Sequence, residues 1–217
     1  MIESYLPAIV PRPTTGNITE IITDWVASDP TRPLLSRSIG NSWQPVTARD
    51  FDLEIRSVAK GLIAHGVAPG DRVAIMAKTR YEWTILDFAI IYCGAITVPI
   101  YETSSAEQVR WILSDSASVL LIVESPTLAH LAQTVLPTSC KEILIITEDA
   151  IQSLVTVGRE VPDSRVDEQI NSMGQEDLMS LIYTSGTTGN PKGVTFTHAN
   201  FMAECSNVVQ YASAEFL

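Results

Sequence analysis

Eleven consecutive residues, Tyr183-Thr184-Ser185-Gly186-Thr187-Thr188-Gly189-Asn190-Pro191-Lys192-Gly193, carry the densest set of chemically useful groups in this chain. The hydroxyls of Thr184, Ser185, Thr187 and Thr188 can donate to phosphate oxygens or sit beside a metal ion. Gly186, Gly189 and Gly193 allow positive φ and close approach, so successive N–H groups can turn toward one anion. Lys192 adds a mobile point charge. No Asp or Glu lies between Asp177 and Glu204, although the chain as a whole is acidic. The apolar run Leu178-Met179-Ser180-Leu181-Ile182 comes directly before. A loop of this composition on the end of a buried strand is expected to grip a polyphosphate.

The stretch is not a Walker A loop, which needs G-x-x-x-x-G-K-[ST]. Counted from Gly186, the second glycine is replaced by Pro191 and the final hydroxyl by Gly193. The bland alternative is a hydroxyl-rich hairpin turn between two strands, but ordinary turns rarely need so many donors.

The full string resembles the phosphate-binding signature of the adenylate-forming superfamily: acyl-CoA synthetases, non-ribosomal adenylation domains and luciferases. Further stretches resemble the same superfamily, beginning with Gly70-Asp71-Arg72-Val73-Ala74-Ile75. Three more are similar to its long-chain fatty acyl-CoA synthetase branch, bacterial members above all. These are Ala77-Lys78-Thr79-Arg80-Tyr81-Glu82-Trp83, the run from Gly94 to Ser105, and Glu107-Gln108-Val109-Arg110-Trp111-Ile112-Leu113. The resemblance covers roughly residues 18–147 and 178–212.

It implies ATP-dependent conversion of a fatty acid to an acyl-adenylate, then thioester formation with coenzyme A. It implies that Thr184, Ser185, Gly186, Thr187, Thr188, Gly189, Lys192 and Gly193 hold the β- and γ-phosphates of ATP. Thr184 is the residue set nearest Mg²⁺, through water. It also implies segments that these 217 residues lack: an aromatic-Gly-x-Thr-Glu stretch, a Thr-Gly-Asp stretch for the ribose, and a C-terminal domain with a catalytic lysine. The chain is therefore expected to be the N-terminal part of a larger enzyme, to hold no catalytic residue itself, and to be inactive alone. The alternatives are another adenylate-forming enzyme (a fatty acyl-AMP ligase, or an aryl- or amino-acid-activating one) and a non-catalytic truncated module.

The elements that must position the loop are legible from periodicity. Ile18, Ile21, Ile22 and Trp25 predict a short helix, and Gly40-Asn41 a turn in a hairpin from Pro33 to Val46. Thr47 is expected to cap a helix with Phe51, Ile55, Val58 and Leu62 on one face, ending near Gly66. Strands follow at Arg72–Met76, Ala95–Ile100, Ser118–Val123 and Ile143–Ile146. Between them, capping boxes are expected at Thr79/Glu82 and Ser104/Glu107, and a helix after Pro126. Strand and helix alternate with short connections and two-sided apolar strands. That predicts an α/β fold: a layered, mostly parallel sheet flanked by helices, as in the large N-terminal domain of adenylate-forming enzymes. Residues 1–17 read as a loose leader and 18–147 as a first α/β subdomain. Residues 148–176 read as an acidic, exposed connection with one short helix near Ala150–Val157. Residues 177–217 read as the phosphate-loop strand pair and a helix from His198 through Tyr211.

Composition bounds the partners. A net charge of −11 and a pI near 4.6 argue against nucleic acid, whose backbone needs a basic face. Cys93, Cys140 and Cys205 are widely spaced without a C-x-x-C pair, so reduced, partly buried thiols are expected. The first basic residue is Arg12, which gives no secretory n-region, and the apolar run around Ala89–Ile100 is too short to span a bilayer. A cytoplasmic protein is expected; peripheral membrane contact through an acyl substrate stays open. His198 is expected to pack at a helix start, His65 to complement a helix C-terminus, and His130 to be exposed. Trp83 and Trp111 read as core contacts, Tyr101-Glu102-Thr103 as a turn beyond a strand end, and Asp87 as a buried hydrogen-bonding acid.

Overall fold

A computed structural model describes residues 14–184 and 190–216, with side chains through residue 210. The first two strands, β1 (Pro33–Ile39) and β2 (Ser42–Thr47), form an antiparallel hairpin turning at Gly40-Asn41. The main sheet holds β3 (Arg72–Met76), β4 (Ile96–Ile100), β5 (Leu120–Val123), β6 (Ile143–Ile145), β7 (Leu178–Thr184) and β8 (Lys192–Thr197). Their order is β6-β5-β3-β4-β7-β8, parallel throughout except that β8 returns antiparallel to β7. The α-helices are α1 (Glu20–Ser28), α2 (Ala48–Ala64), α3 (Tyr81–Tyr92), α4 (Ala106–Asp115), α5 (Pro126–Gln133), α6 (Ala150–Val157), α7 (Asp163–Ser172) and α8 (His198–Phe216).

Chirality explains the layering. A right-handed crossover puts its helix on one face when the chain steps one way along the sheet and on the other when it steps back. The steps β3→β4 and β6→β7 run one way, so α3, α6 and α7 share a face with α2. The steps β4→β5 and β5→β6 run the other way, so α4 and α5 cover the opposite face. Alternate strand residues divide accordingly. Val73, Ile75, Leu120 and Ile122 pack with Phe51, Ile55, Leu62, Leu86 and Ile90, while Ala74, Met76, Leu121 and Val123 pack with Val109, Ile112 and Leu113. The mostly parallel sheet flanked by helices is thus the expected α/β architecture. Among the described residues, no helix is long and apolar enough to cross a membrane.

Several local expectations need revision. Thr47 does cap α2, accepting from the Asp50 N–H at 3.2 Å. The box expected at Thr79/Glu82 does not form: Arg80, not Thr79, precedes α3, with no side-chain cap bond. The one expected at Ser104/Glu107 lies one residue later, where Ser105 and Gln108 cap each other reciprocally. Both α2 and α3 end with glycine at positive φ, Gly66 (86°) and Gly94 (69°), followed by a bond from the next N–H back to Leu62 or Ile90. The helix α8 runs on to Phe216 rather than stopping at Tyr211.

The larger correction concerns residues 148–176. The short helix expected at Ala150–Val157 is present as α6 and most of the stretch is exposed, but a second helix, α7, follows, and the two bury Leu154, Val166 and Ile170 against the α2–α3 layer. Glycine makes this contact. A Cβ on Gly61 would stand 2.3 Å from the Leu154 carbonyl oxygen, and one on Gly158 would stand 2.5 Å from the Gly61 nitrogen. Two backbones touch there, which no acidic-composition argument could foresee. Acid side chains then reach back: Asp163 bonds Lys60 at 3.0 Å, and Asp167 bonds Arg56 at 2.7 Å. The leader is also tied down at its end, since the Asn17 amide donates to the Ile170 carbonyl at 3.1 Å.

Candidate functional site

The last residue of β7, Thr184, lies opposite the first residue of β8, Lys192, and both are exposed. These two strand ends deliver the expected phosphate loop. Gly193, also expected to contact phosphate, faces Tyr183 in the next register position. The expected ligands Ser185, Gly186, Thr187, Thr188 and Gly189 lie outside the described residues. The bland hairpin reading has the right connectivity, two adjacent antiparallel strands; what matters chemically is where the hairpin points.

It points off the carboxyl edge of the sheet. There β3 and β4 also end, giving way to Ala77-Lys78 and Tyr101-Glu102, and β7 packs beside β4 with the Ser180 hydroxyl donating to the Thr97 carbonyl at 3.1 Å. Open α/β sheets bind ligands outside this edge. A cavity of about 480 Å³ opens at it, lined among others by Lys78, Trp83, Ile100, Tyr101, Ile182 and Tyr183. Its lining is mostly apolar and includes one cation and one carboxylate, Lys78 and Glu102. The turn expected at Tyr101-Glu102 is present and leaves Tyr101 74% exposed at the mouth. No salt bridge among the described residues occupies Lys78 or Lys192. Both ammonium groups are therefore available to an incoming anion.

The shoulders of the loop are held by contacts that the sequence reading did not assign. The Trp111 indole N–H donates to the Pro191 carbonyl at 2.8 Å. The Tyr183 hydroxyl donates to Asp115 Oδ2 at 2.7 Å, and burial, then this carboxylate, push the phenol well above its ordinary value. Trp111 was expected only as a core contact. The signal that could have found the pair is Asp115 itself, an acid in the last position of α4, where the helix dipole disfavours negative charge.

The other candidates take structural places. His198 begins α8 fully buried and accepts the Ile18 N–H at Nδ1, 3.3 Å away. Burial holds its pKa below the ordinary histidine value, opposed by Asp177. A neutral ring bonded to the chain's first helix region is a packing device, as expected. His65 closes α2 and lies 3.1 Å from Glu142; His130 is exposed on α5. Burial pushes Asp87 up to about 6. Cys93, Cys140 and Cys205 are free thiols, the first two buried, and burial raises Cys140 to about 11.

Magnesium fits this donor set only as a companion of phosphate. Among the described residues no group of three or more His, Cys, Asp or Glu side chains could hold a metal ion. Mg²⁺ commonly keeps several waters and is shared between one or two protein groups and the substrate's phosphates. An exposed Thr184 hydroxyl beside an acid-free loop suits that arrangement.

Comparison with known proteins agrees with this geometry. Residues 22–216 match the family model described as AMP-binding enzyme. The chain is 40% identical over 213 residues to the long-chain-fatty-acid–CoA ligase FadD15 of Mycobacterium tuberculosis, and equally to that of Mycobacterium bovis. Those alignments cover 93% of this chain and 35% of each relative, so the chain spans about a third of their length. Among solved structures, the inhibitor-bound N-terminal domain of FACL13 from M. tuberculosis superposes with a TM-score of 0.68 at 28% identity, covering 84% of this chain and 44% of that one. ATP-bound MatB from Rhodopseudomonas palustris shares the fold, with a TM-score of 0.76 at 20% identity over 91% of this chain and 38% of its own. With a matching model across nearly all its residues and a relative this similar, the chain belongs to the AMP-binding enzyme family.

Proposed function

We propose that this chain is the N-terminal part of a long-chain fatty acid–CoA ligase, acting in the cytoplasm on ATP, a fatty acid and coenzyme A. The observation that carries the reading is the pairing of Thr184 with Lys192 at the sheet's carboxyl edge, beside a mostly apolar cavity. Its 40% identity to ligases of that name supports the substrate class.

The chemistry asks for what this edge supplies. A fatty carboxylate and the α-phosphate of ATP are both anions, and their repulsion is a large part of the barrier to forming the mixed anhydride. Lys192 and the loop hydroxyls hold the β- and γ-phosphates, so that charge building on departing pyrophosphate meets fixed donors. Thr184 would contribute to holding magnesium that arrives with the nucleotide, and the ion would neutralise phosphate charge there. Lys78, just past the end of β3 and two strands away from β7, adds positive potential at the same edge. The exposed apolar face of α8 and α1 (Ile21, Val208, Val209) suits a chain a third as long as its relatives, since further polypeptide would cover it.

The test is fatty-acid-dependent ATP–pyrophosphate exchange, measured on this chain alone and on this chain joined in frame to the rest of FadD15. Exchange by the joined protein and none by the chain alone is expected. A folded joined protein that leaves pyrophosphate unexchanged with every long-chain acid tried overturns the reading.

A further inference from the structure

The phosphate grip proposed above depends on where Thr184 and Lys192 stand, and one helix reaches both sides of their hairpin. From α4, Trp111 holds the Pro191 carbonyl, next to Lys192. One turn further along the same helix face, Asp115 holds the Tyr183 hydroxyl, next to Thr184. We propose that Trp111, Asp115 and Tyr183 are positioning residues for the polyphosphate grip: α4 is a two-point clamp that fixes the separation and direction of the strand ends presenting Thr184 and Lys192. This rests on the functional reading above and assigns it three residues that touch no phosphate themselves.

Four features distinguish a clamp from incidental contacts. First, α4 is itself immobilised. Its start is locked by the reciprocal Ser105/Gln108 box, and Val109, Ile112 and Leu113 are buried in the core beneath it. Second, the spacing is helical. Positions 111 and 115 are four apart, so their side chains rise from one face toward one neighbouring hairpin. Third, Asp115 occupies a site where the dipole makes an acid unfavourable, and α4 has no basic residue in its last turn. The Tyr183 hydroxyl gives that carboxylate a partner. Fourth, the hairpin is shaped to receive the clamp. Gly193 lies across from Tyr183, and a Cβ there would stand 3.1 Å from the ring, so glycine lets the phenol lie over β8 on its way to α4. The glycine thus has a second use beside any contact with phosphate.

A site that binds a polyanion through several donors gains from having them held in place beforehand, because less freedom is lost on binding. The clamp supplies this at the one point where β7 and β8 pass beyond the sheet. Loss of either tether leaves the fold intact and loosens the grip.

The test uses this chain and magnesium tripolyphosphate, which carries the phosphates without a nucleoside. Binding is followed by the NMR signals of the Trp111 indole N–H and the Lys192 amide, with thermal unfolding measured in parallel. Trp111→Phe, Tyr183→Phe and Asp115→Ala are each expected to weaken tripolyphosphate binding about three- to tenfold, the worth of one hydrogen bond. Asp115→Asn, which keeps an acceptor oxygen, is expected to recover most of the loss seen with Ala. Tyr183→Phe and Asp115→Ala remove the same bond, so the double variant should bind no worse than either alone. Variants that bind as tightly as the parent, or that weaken binding only in proportion to lost folding, overturn the clamp while leaving the grip standing. A parent chain that binds no tripolyphosphate, with both tethers visible in its spectra, overturns the grip itself and the clamp's role with it.

Discussion

Two regions on the same sheet are built on opposite terms. At the β7–β8 end, Thr184, Lys192 and Gly193 are exposed, Lys192 has no salt bridge among the described residues, and two hydrogen bonds to α4 hold the strand ends. On the α2–α6–α7 layer, backbones touch at Gly61 and Gly158, and Arg56 is shared between Asp52 and Asp167 at 2.8 and 2.7 Å. The first region leaves Thr184 and Lys192 open to solvent. The second satisfies its polar groups internally and tolerates no added atom. The difference teaches that substitutions should separate cleanly, with chemistry lost at one place and stability at the other.

Lys192→Ala gives the largest expected effect, a 10²- to 10³-fold slower adenylation in the joined protein. That corresponds to about 2.7–4 kcal/mol of transition-state stabilisation for one lost donor. Thermal unfolding should not move, because the side chain is exposed. Exchange kinetics and a melting curve on the same sample check both halves; a lower Tm would blur the comparison.

Gly61→Ala should do the reverse. Its methyl overlaps the Leu154 carbonyl, so the helices must part at a cost of about 3 kcal/mol. Urea unfolding measures it. Unchanged stability would mean that α6 is free to shift, as a loosely attached segment would be.

Asp87 and His198 sharpen the comparison through pH. Burial raises Asp87 from the ordinary 3.8 to about 6, so the folded chain holds this proton more tightly than the unfolded one. Ionisation therefore costs stability as pH rises through that interval, and the full cost is present at neutral pH. Asp87→Asn should add about 2 kcal/mol at pH 7–8, and nothing below pH 4. His198 has the opposite sign. Its lowered pKa means that its stabilisation is present above the ordinary value of 6.5 and is lost as pH falls below it. His198→Gln, which can still accept from Ile18, should flatten that acid limb, the smallest change here at about 1 kcal/mol. Unfolding curves from pH 4 to 8 for both variants separate the two slopes.

Much of the fold was legible because its signals are local. Thr47 as a cap, the Gly40-Asn41 turn, and apolar strands punctuated by helices each follow from a few neighbouring residues. The phosphate-loop expectation rests on the same kind of signal, contiguous hydroxyls and glycines, of which Ser185 to Gly189 lie outside the described residues. What stayed hidden was long-range. Residues 148–176 look solvated by composition, yet Leu154 and Val166 are buried because Gly61 and Gly158, nearly a hundred residues apart, let two helices meet. Trp111 and Tyr183 likewise look like ordinary apolar periodicity. Their polar ends meet partners 80 and 68 residues away, a distance over which side-chain spacing carries no information.

The anchoring of α1 has a consequence for synthesis. Asn17 waits for Ile170, and the Ile18 amide waits for His198, 180 positions later. At roughly 5–20 residues added per second, α1 emerges from the ribosome on the order of ten to forty seconds before these two partners are made. Ile22 can join Phe51 and Ile55 of α2 early, but the Asn17 amide and the Ile18 N–H must stay in the company of water or a chaperone until α7 and α8 supply their acceptors.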